Sequence, residues 1–198
     1  MTRLIVVFGR EPIPGRVKTR LARDIGEDRA AEIYTRLLEH TLTEATATGI
    51  GVVLSLAEPL TGRWTPPQGL QIEVQGEGDL GRRMAQSFRS HFALGAQRVL
   101  LIGSDCPGVT RAHLRNALDA LSSAPVVLGP ARDGGYWAIA QQAPGVDCFS
   151  GVPWSSERTL EITRERLGML GVDWAEIETL DDVDTGGDLG LLDGMAEV

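Results

Sequence analysis

Three cations crowd into five residues near the start of the chain: Arg16, Lys18 and Arg20. They follow the loop Gly9-Arg10-Glu11-Pro12-Ile13-Pro14-Gly15, which is bounded by glycines and stiffened by two prolines. Backbone amides of such a loop, with positive side chains behind them, make a phosphate cradle. Lys18 is the only lysine in the chain, against eighteen arginines. Ammonium and guanidinium are not interchangeable where a compact point charge must fit against phosphate. Lys18 is therefore either a phosphate ligand or a leftover surface residue. A Walker A loop is excluded because Arg16 and Val17 separate Gly15 from Lys18, and no G-x-G-x-x-G follows an apolar run.

The acidic candidates lie far from this loop in sequence. Asp105 stands in Ser104-Asp105-Cys106-Pro107, and Asp182 and Asp184 stand in Asp182-Val183-Asp184-Thr185-Gly186-Gly187. Asp105 can project into a ligand crevice or make an Asx turn before Pro107. Asp182 and Asp184, two apart, are expected on opposite faces of extended chain and can share one metal only if the chain turns at Thr185-Gly186-Gly187, or they form a helix N-cap cluster. Charge is unevenly spread: residues 1–24 hold six cations and two acids, whereas no cation and nine acids follow Arg166. If the chain ends meet, a cationic loop faces an acidic patch, the polarity of a carboxylate-held divalent metal on a phosphorylated ligand. Asp133-Gly134-Gly135-Tyr136 is either a tight turn between strands or a place where backbone approaches a ligand while Arg132 or Tyr136 contacts an acceptor. No Ser/His/Asp or Cys/His set stands out. His40, His91 and His113 fall in helical stretches, and Cys106 has no nearby base. Such a site works by electrostatics and positioning.

The elements that must carry these residues are legible from periodicity. Arg3–Phe8 is a continuous apolar run, the pattern of a buried parallel strand. Arg98–Gly103 repeats it and ends at Asp105. Further strands are expected at 51–57, 70–74, 125–129, up to 140 and 172–178. Helices are expected from about 28 to 48, after Gly81, after Thr110 as N-cap, over 157–170, and as a short terminal piece after 180–189. Strands alternating with helices predict an α/β fold of three layers, α/β/α, with a mostly parallel sheet and one domain. Open sheets of this kind bind ligands at the carboxyl ends of their strands, where Gly9 and Asp105 both fall.

The 198 residues suffice for one well-buried domain. A net charge of −8 argues against nucleic acid as partner. No run is long enough to span a membrane. Two cysteines without metal-ligand spacing, and no leader pattern, make the cytoplasm the simplest expectation.

Several segments taken together resemble a small bacterial glycosyltransferase-like family of the nucleotide-diphospho-sugar transferase (GT-A) superfamily. They are Phe8-Gly9-Arg10, Pro14 to Leu21, Gly78-Asp79-Leu80-Gly81, Ser104 to Pro107, Asp133 to Tyr136, Trp154-Ser155 and Asp182 to Leu189. Lys18-Thr19-Arg20-Leu21-Ala22 also resembles 2-phospholactate guanylyltransferase, and Asp182-Val183-Asp184-Thr185 is similar to a segment of sugar-acid cytidylyltransferases. The resemblance implies a Rossmann-like GT-A domain over 1–198, with Mg²⁺ or Mn²⁺ as cofactor. It places the nucleotide on Phe8, Gly9, Arg10, Gly15, Lys18, Arg20 and Asp79, and the metal on Asp105, Asp182 and Asp184. Acceptor contacts would come from Arg132, Asp133, Gly134, Gly135, Tyr136 and Ser155, with Lys18, Arg10 and Asp105 catalytic. Two departures are visible: Asp105 is not in a plain Asp-x-Asp, and Gly186-Gly187 replaces the Pro-Glu often found before Asp-Leu. The expected reaction is nucleotidyl transfer from an NTP to a small phosphorylated or carboxylate acceptor. Glycosyl transfer from an NDP-sugar is the alternative, and a non-catalytic nucleotide-binding regulator the third. The expected partners are nucleotide and small acceptor, with a homodimer as an option.

Overall fold

The computed structural model of the protein describes residues 2–195. Seven strands form one sheet in the order β3-β2-β1-β4-β6-β5-β7. They are β1 (Arg3–Gly9), β2 (Gly51–Leu56), β3 (Gln71–Val74), β4 (Arg98–Ile102), β5 (Val126–Pro130), β6 (Tyr136–Gln142) and β7 (Trp174–Glu176). The helices are α1 (Thr19–Ile25), α2 (Glu27–Thr46), α3 (Leu80–Ala93), α4 (Arg111–Ala120) and α5 (Thr159–Met169), and Gly186–Gly194 forms a 3₁₀ helix. The expected α/β fold with a mostly parallel sheet is the one observed. β6 alone runs against its neighbours, pairing antiparallel with both β4 and β5. The Asp133-Gly134-Gly135 turn folds β6 back beside β5, and so inserts it between β5 and β4.

The apolar runs are continuous because both faces of the sheet are covered. Ile5 and Val7 of β1 point with Leu100 and Ile102 of β4 into one cluster, closed by Leu38 and Leu42 of α2 and Leu114 and Leu118 of α4. Val6 and Phe8, with Val99 and Leu101, point the other way against Met84 and Phe88 of α3 and Leu160 and Leu167 of α5. Thr110 caps α4 as expected, and does so reciprocally: its hydroxyl accepts from the His113 amide while His113 Nδ1 accepts from the Thr110 amide. The final strand is shorter than the 172–178 expected from sequence, since only Trp174–Glu176 pair with β5. The last helix is 3₁₀ rather than α. Its first turn is organised by the Asp188 carboxylate, which accepts from the amides of Asp184 and Thr185. No helix among the described residues is long and apolar enough to cross a membrane.

Candidate functional site

The apolar strands β1 and β4 pair side by side, and the loops that follow them are tied by a tyrosine. Tyr34, on the buried face of α2, accepts a hydrogen bond from the Arg10 amide at 2.9 Å, and its hydroxyl lies 3.0 Å from Ser104 Oγ. Burial, then the charge of Asp105, pushes this phenol up to about 12, so it stays a neutral hydroxyl at working pH. Gly9 packs beside it: a Cβ there would lie 3.3 Å from Leu38 Cδ1 and 3.5 Å from Tyr34 Oη. Periodicity marks Tyr34 only as a core position of its helix and carries no sign of its polar role.

Lys18 is the centre of the site. It precedes α1 in a left-handed conformation (φ 46°), one that residues with a β-carbon avoid. Its side chain is 5 % exposed, and its ammonium lies 3.1 Å from Asp105 Oδ1 and 2.9 Å from Asp184 Oδ1. Burial pushes the ammonium toward neutrality, but Asp105 and Asp184 outweigh it and hold the pKa above that of an ordinary lysine. Arg20 reaches the second oxygen of Asp184 at 3.4 Å. The two ends of the chain therefore meet as their charge asymmetry suggests. This junction is braced by the Val183 amide donating to the Asp105 carbonyl and the Gly186 amide donating to Asp24.

The segment carrying the second acidic pair corrects one expectation. No turn is needed to bring Asp182 and Asp184 to one side, because residues two apart in extended chain share a face. Val183 between them is fully buried against Leu21, Ile33 and Leu37, which leaves both carboxylates on the outer side. Asp182 is pushed up to about 6, first by burial and then by the charges of Asp133 and Asp184.

The remaining candidates divide. Arg10 and Arg16 line a cavity of about 230 Å³ between the 10–16 loop and the segment after β2, with Ile13, Ala57, Pro59 and Thr61. Glu11 fastens that wall: its carboxylate accepts from the amides of Thr61 (2.7 Å), Arg63 (2.8 Å) and Trp64 (3.2 Å). Burial pushes Glu11 up, yet the amide bonds prevail and hold it below the usual carboxylate range. Neither Glu11 nor this wall was singled out by sequence; an acid at 7 % exposure is invisible until its partners are known. Gly15 takes a positive φ of 77° in the same loop. Phe8 does not offer its ring to a ligand, since the side chain is buried against the α3 face of the sheet. Asp79 is engaged as the N-cap of α3, accepting from the Arg82 amide at 2.8 Å.

Of the residues expected to contact an acceptor, Asp133 accepts from the Gly135 amide at 2.8 Å, the Asx geometry of a tight turn. Gly134 has φ 88°, and a Cβ there would collide with the Glu157 carbonyl, so the turn seats directly on the residues that lead into α5. Arg132 is exposed and pairs with Asp181 at 2.6 Å. The Tyr136 hydroxyl is buried, its ring set edge-on to Trp154, so this residue presents no free hydroxyl to an acceptor. Ser155 is exposed and left-handed (φ 59°) on the same loop. His40, His91 and His113 bond to Val109, Glu73 and Glu178, away from Lys18. The Cys106 thiol is buried and pushed well up by burial and Asp105, hence unreactive.

A divalent cation fits part of this donor set. The carboxylates are hard oxygen ligands, and Asp105 Oδ1 is buried with no hydrogen-bond partner besides the Lys18 ammonium among the described residues. Asp105 and Asp184 already share one cation, the Lys18 ammonium. Among the described residues, however, no three carboxylate, histidine or cysteine groups converge as a ready-made metal cage.

A family profile described as "Uncharacterized protein conserved in bacteria (DUF2064)" matches residues 39–156. That stretch holds Asp79, Asp105 and the Asp133 turn; Lys18 and Asp184 lie outside it. Among curated proteins none matches the sequence. Among solved structures, a protein of Desulfovibrio desulfuricans G20, itself provisionally assigned as a nucleotide-diphospho-sugar transferase, is 29 % identical with a TM-score of 0.90. The match covers 97 % of this chain and 87 % of that one. The inositol-1-phosphate CTP transferase from T. maritima is similar at 14 % identity and TM-score 0.63, over 99 % of this chain and 98 % of the other. Rv0371c of Mycobacterium tuberculosis H37Rv, in complex with manganese, is similar at 21 % identity and TM-score 0.55, over 98 % of this chain and 99 % of its own. The last two likenesses are likenesses of fold.

Proposed function

The chain belongs to the DUF2064 family, and from that footing we propose that it is a transferase of the cytoplasm, one domain that takes its activated group from a nucleotide. The reading favoured is nucleotidyl transfer from an NTP to a small phosphorylated or carboxylate acceptor. The observation that carries it is the buried Lys18 ammonium, just before α1, held on Asp105 in the loop after β4 and on Asp184 before the 3₁₀ helix. An ordinary surface lysine has no reason to be buried on two carboxylates from opposite ends of the chain.

In this reading the NTP phosphates lie along the 9–20 segment, where the loop amides, Arg10, Lys18 and Arg20 offset their charge. An acceptor oxygen attacks the α-phosphorus, and pyrophosphate leaves with the bonding electrons. Lys18 and Arg10 stabilise the negative charge that grows on the phosphates in the transition state. An acceptor that is already ionised needs no strong base, in keeping with histidines that lie elsewhere. Arg132, Asp133 and Ser155 are the groups placed to orient the acceptor; Gly134 and Gly135 shape that rim. Mg²⁺ or Mn²⁺, held by Asp105 and Asp184 with Asp182, would supply further charge neutralisation and in-line alignment of phosphate and acceptor.

Glycosyl transfer from an NDP-sugar is the second reading, favoured by the provisional assignment of the Desulfovibrio protein. A melting panel of the four NTPs and common NDP-sugars, with and without Mg²⁺, tests both. A ligand at a hundred times its dissociation constant adds about 2.7 kcal/mol, which is roughly 5–10 °C for a chain of this size. Stabilisation by an NTP followed by release of pyrophosphate supports nucleotidyl transfer, whereas NDP release from an NDP-sugar supports the alternative. No shift with any of them removes the nucleotide from the site.

A further inference from the structure

We propose that Lys18 is a resident cation that keeps free divalent metal out of the site until nucleotide arrives, so that metal and nucleotide enter together. The inference deepens the nucleotide reading above and rests on it. Its basis is a competition for the same oxygens. The ammonium sits 3.1 Å from Asp105 Oδ1 and 2.9 Å from Asp184 Oδ1, and Arg20 covers the other Asp184 oxygen at 3.4 Å. Metal bonds to carboxylate oxygen are shorter still. A dication sharing these two oxygens would face the ammonium, itself 5 % exposed, across a few ångströms, where like charges repel. Metal and Lys18 therefore exclude one another at this pair.

The arrangement also shows how the block is released. Lys18 is 5 % exposed and cannot trade its carboxylates for water without moving, so leaving them requires another anion within reach. Nucleotide phosphates on the 9–16 loop are such an anion, and Lys18 is joined to that loop by Val17 alone. Its left-handed backbone (φ 46°, ψ 47°) is held against intrinsic preference. When it leaves, Asp105 Oδ1 has no other hydrogen-bond partner among the described residues and is free for the incoming metal.

The test is binding of Mn²⁺, followed by loss of the free-ion EPR signal. For the unmodified protein, Mn²⁺ alone should bind weakly, and at least tenfold more tightly in the presence of the NTP or NDP that stabilises the fold. Lys18→Met should take up Mn²⁺ alone at least tenfold better than the unmodified protein, whereas Lys18→Arg, which keeps the charge, should not. If Lys18→Met does not fold, Lys18→Gln, which also removes the charge, takes its place, and every titration with nucleotide is read against a protein-free control because nucleotide phosphates bind Mn²⁺ themselves. Equal Mn²⁺ affinity with and without nucleotide, or no gain in Lys18→Met, overturns the inference and leaves nucleotide binding standing. If no NTP or NDP raises the melting temperature, the nucleotide reading fails first and takes this inference with it.

Discussion

Tyr34 and Asp182 have opposite energetic characters. Tyr34 is a satisfied buried group: its hydroxyl accepts from the Arg10 amide and neighbours Ser104. Tyr34→Phe keeps the packing and strands those partners, a cost of about 1–2 kcal/mol. The measurements are a denaturation midpoint and the exchange rate of the Arg10 amide, and unchanged values for both would remove the tie between the loops. Asp182 is strained as an ion, its pKa raised from 3.8 to about 6. A raised carboxylate pKa means that the folded state binds more protons, so stability from this group is full below about pH 4 and is lost as pH rises through 6. Asp182→Asn should therefore be more stable than the unmodified protein at pH 7, by about 1 kcal/mol once screening of a half-exposed group is allowed for. The advantage should vanish near pH 4. An equal gain at both pH values would show that charge is not the cause.

Among the elements, the wall formed by the segment after β2 depends on one acid. Three amides from residues 61–64 converge on Glu11, and the Trp64 indole donates to Glu39 on α2. Because the Glu11 pKa is held low, its contribution is present above the ordinary carboxylate pKa and is lost as pH falls through the folded value. Glu11→Ala should release residues 58–69, seen as faster proteolysis and amide exchange there, and cost about 1–2 kcal/mol. Nucleotide affinity should fall with it if the cavity beside Arg10 and Arg16 is used. Protection unchanged across 58–69 would show that the segment is held by its apolar contacts instead.

For the molecule as a whole, the parts readable from sequence were those governed by local pattern. Unbroken apolar runs located β1 and β4, and the Thr110 cap located the start of α4, because burial on two faces and end-capping leave marks within a few residues. The meeting of a cationic start with an acidic end was legible as a charge asymmetry, and Lys18 as a compositional exception. What sequence could not supply was pairing at a distance. The antiparallel insertion of β6 depends on which strand ends up beside it, and the roles of Glu11 and Tyr34 depend on partners at 50 and 24 residues' separation. The expectation that Asp182 and Asp184 need a turn to share a side fails because burial of Val183 between them leaves both carboxylates on the outer side.

The Lys18–Asp184 contact spans 166 residues, and that separation has a consequence during biosynthesis. At about 5–20 residues per second, roughly ten to thirty seconds pass between synthesis of the lysine and of its second carboxylate. Through that interval the emerging chain presents a cationic loop without the acidic segment that completes the pocket. On the proposed reading, a nascent chain captures no metal-nucleotide until the segment around residue 184 docks against α1.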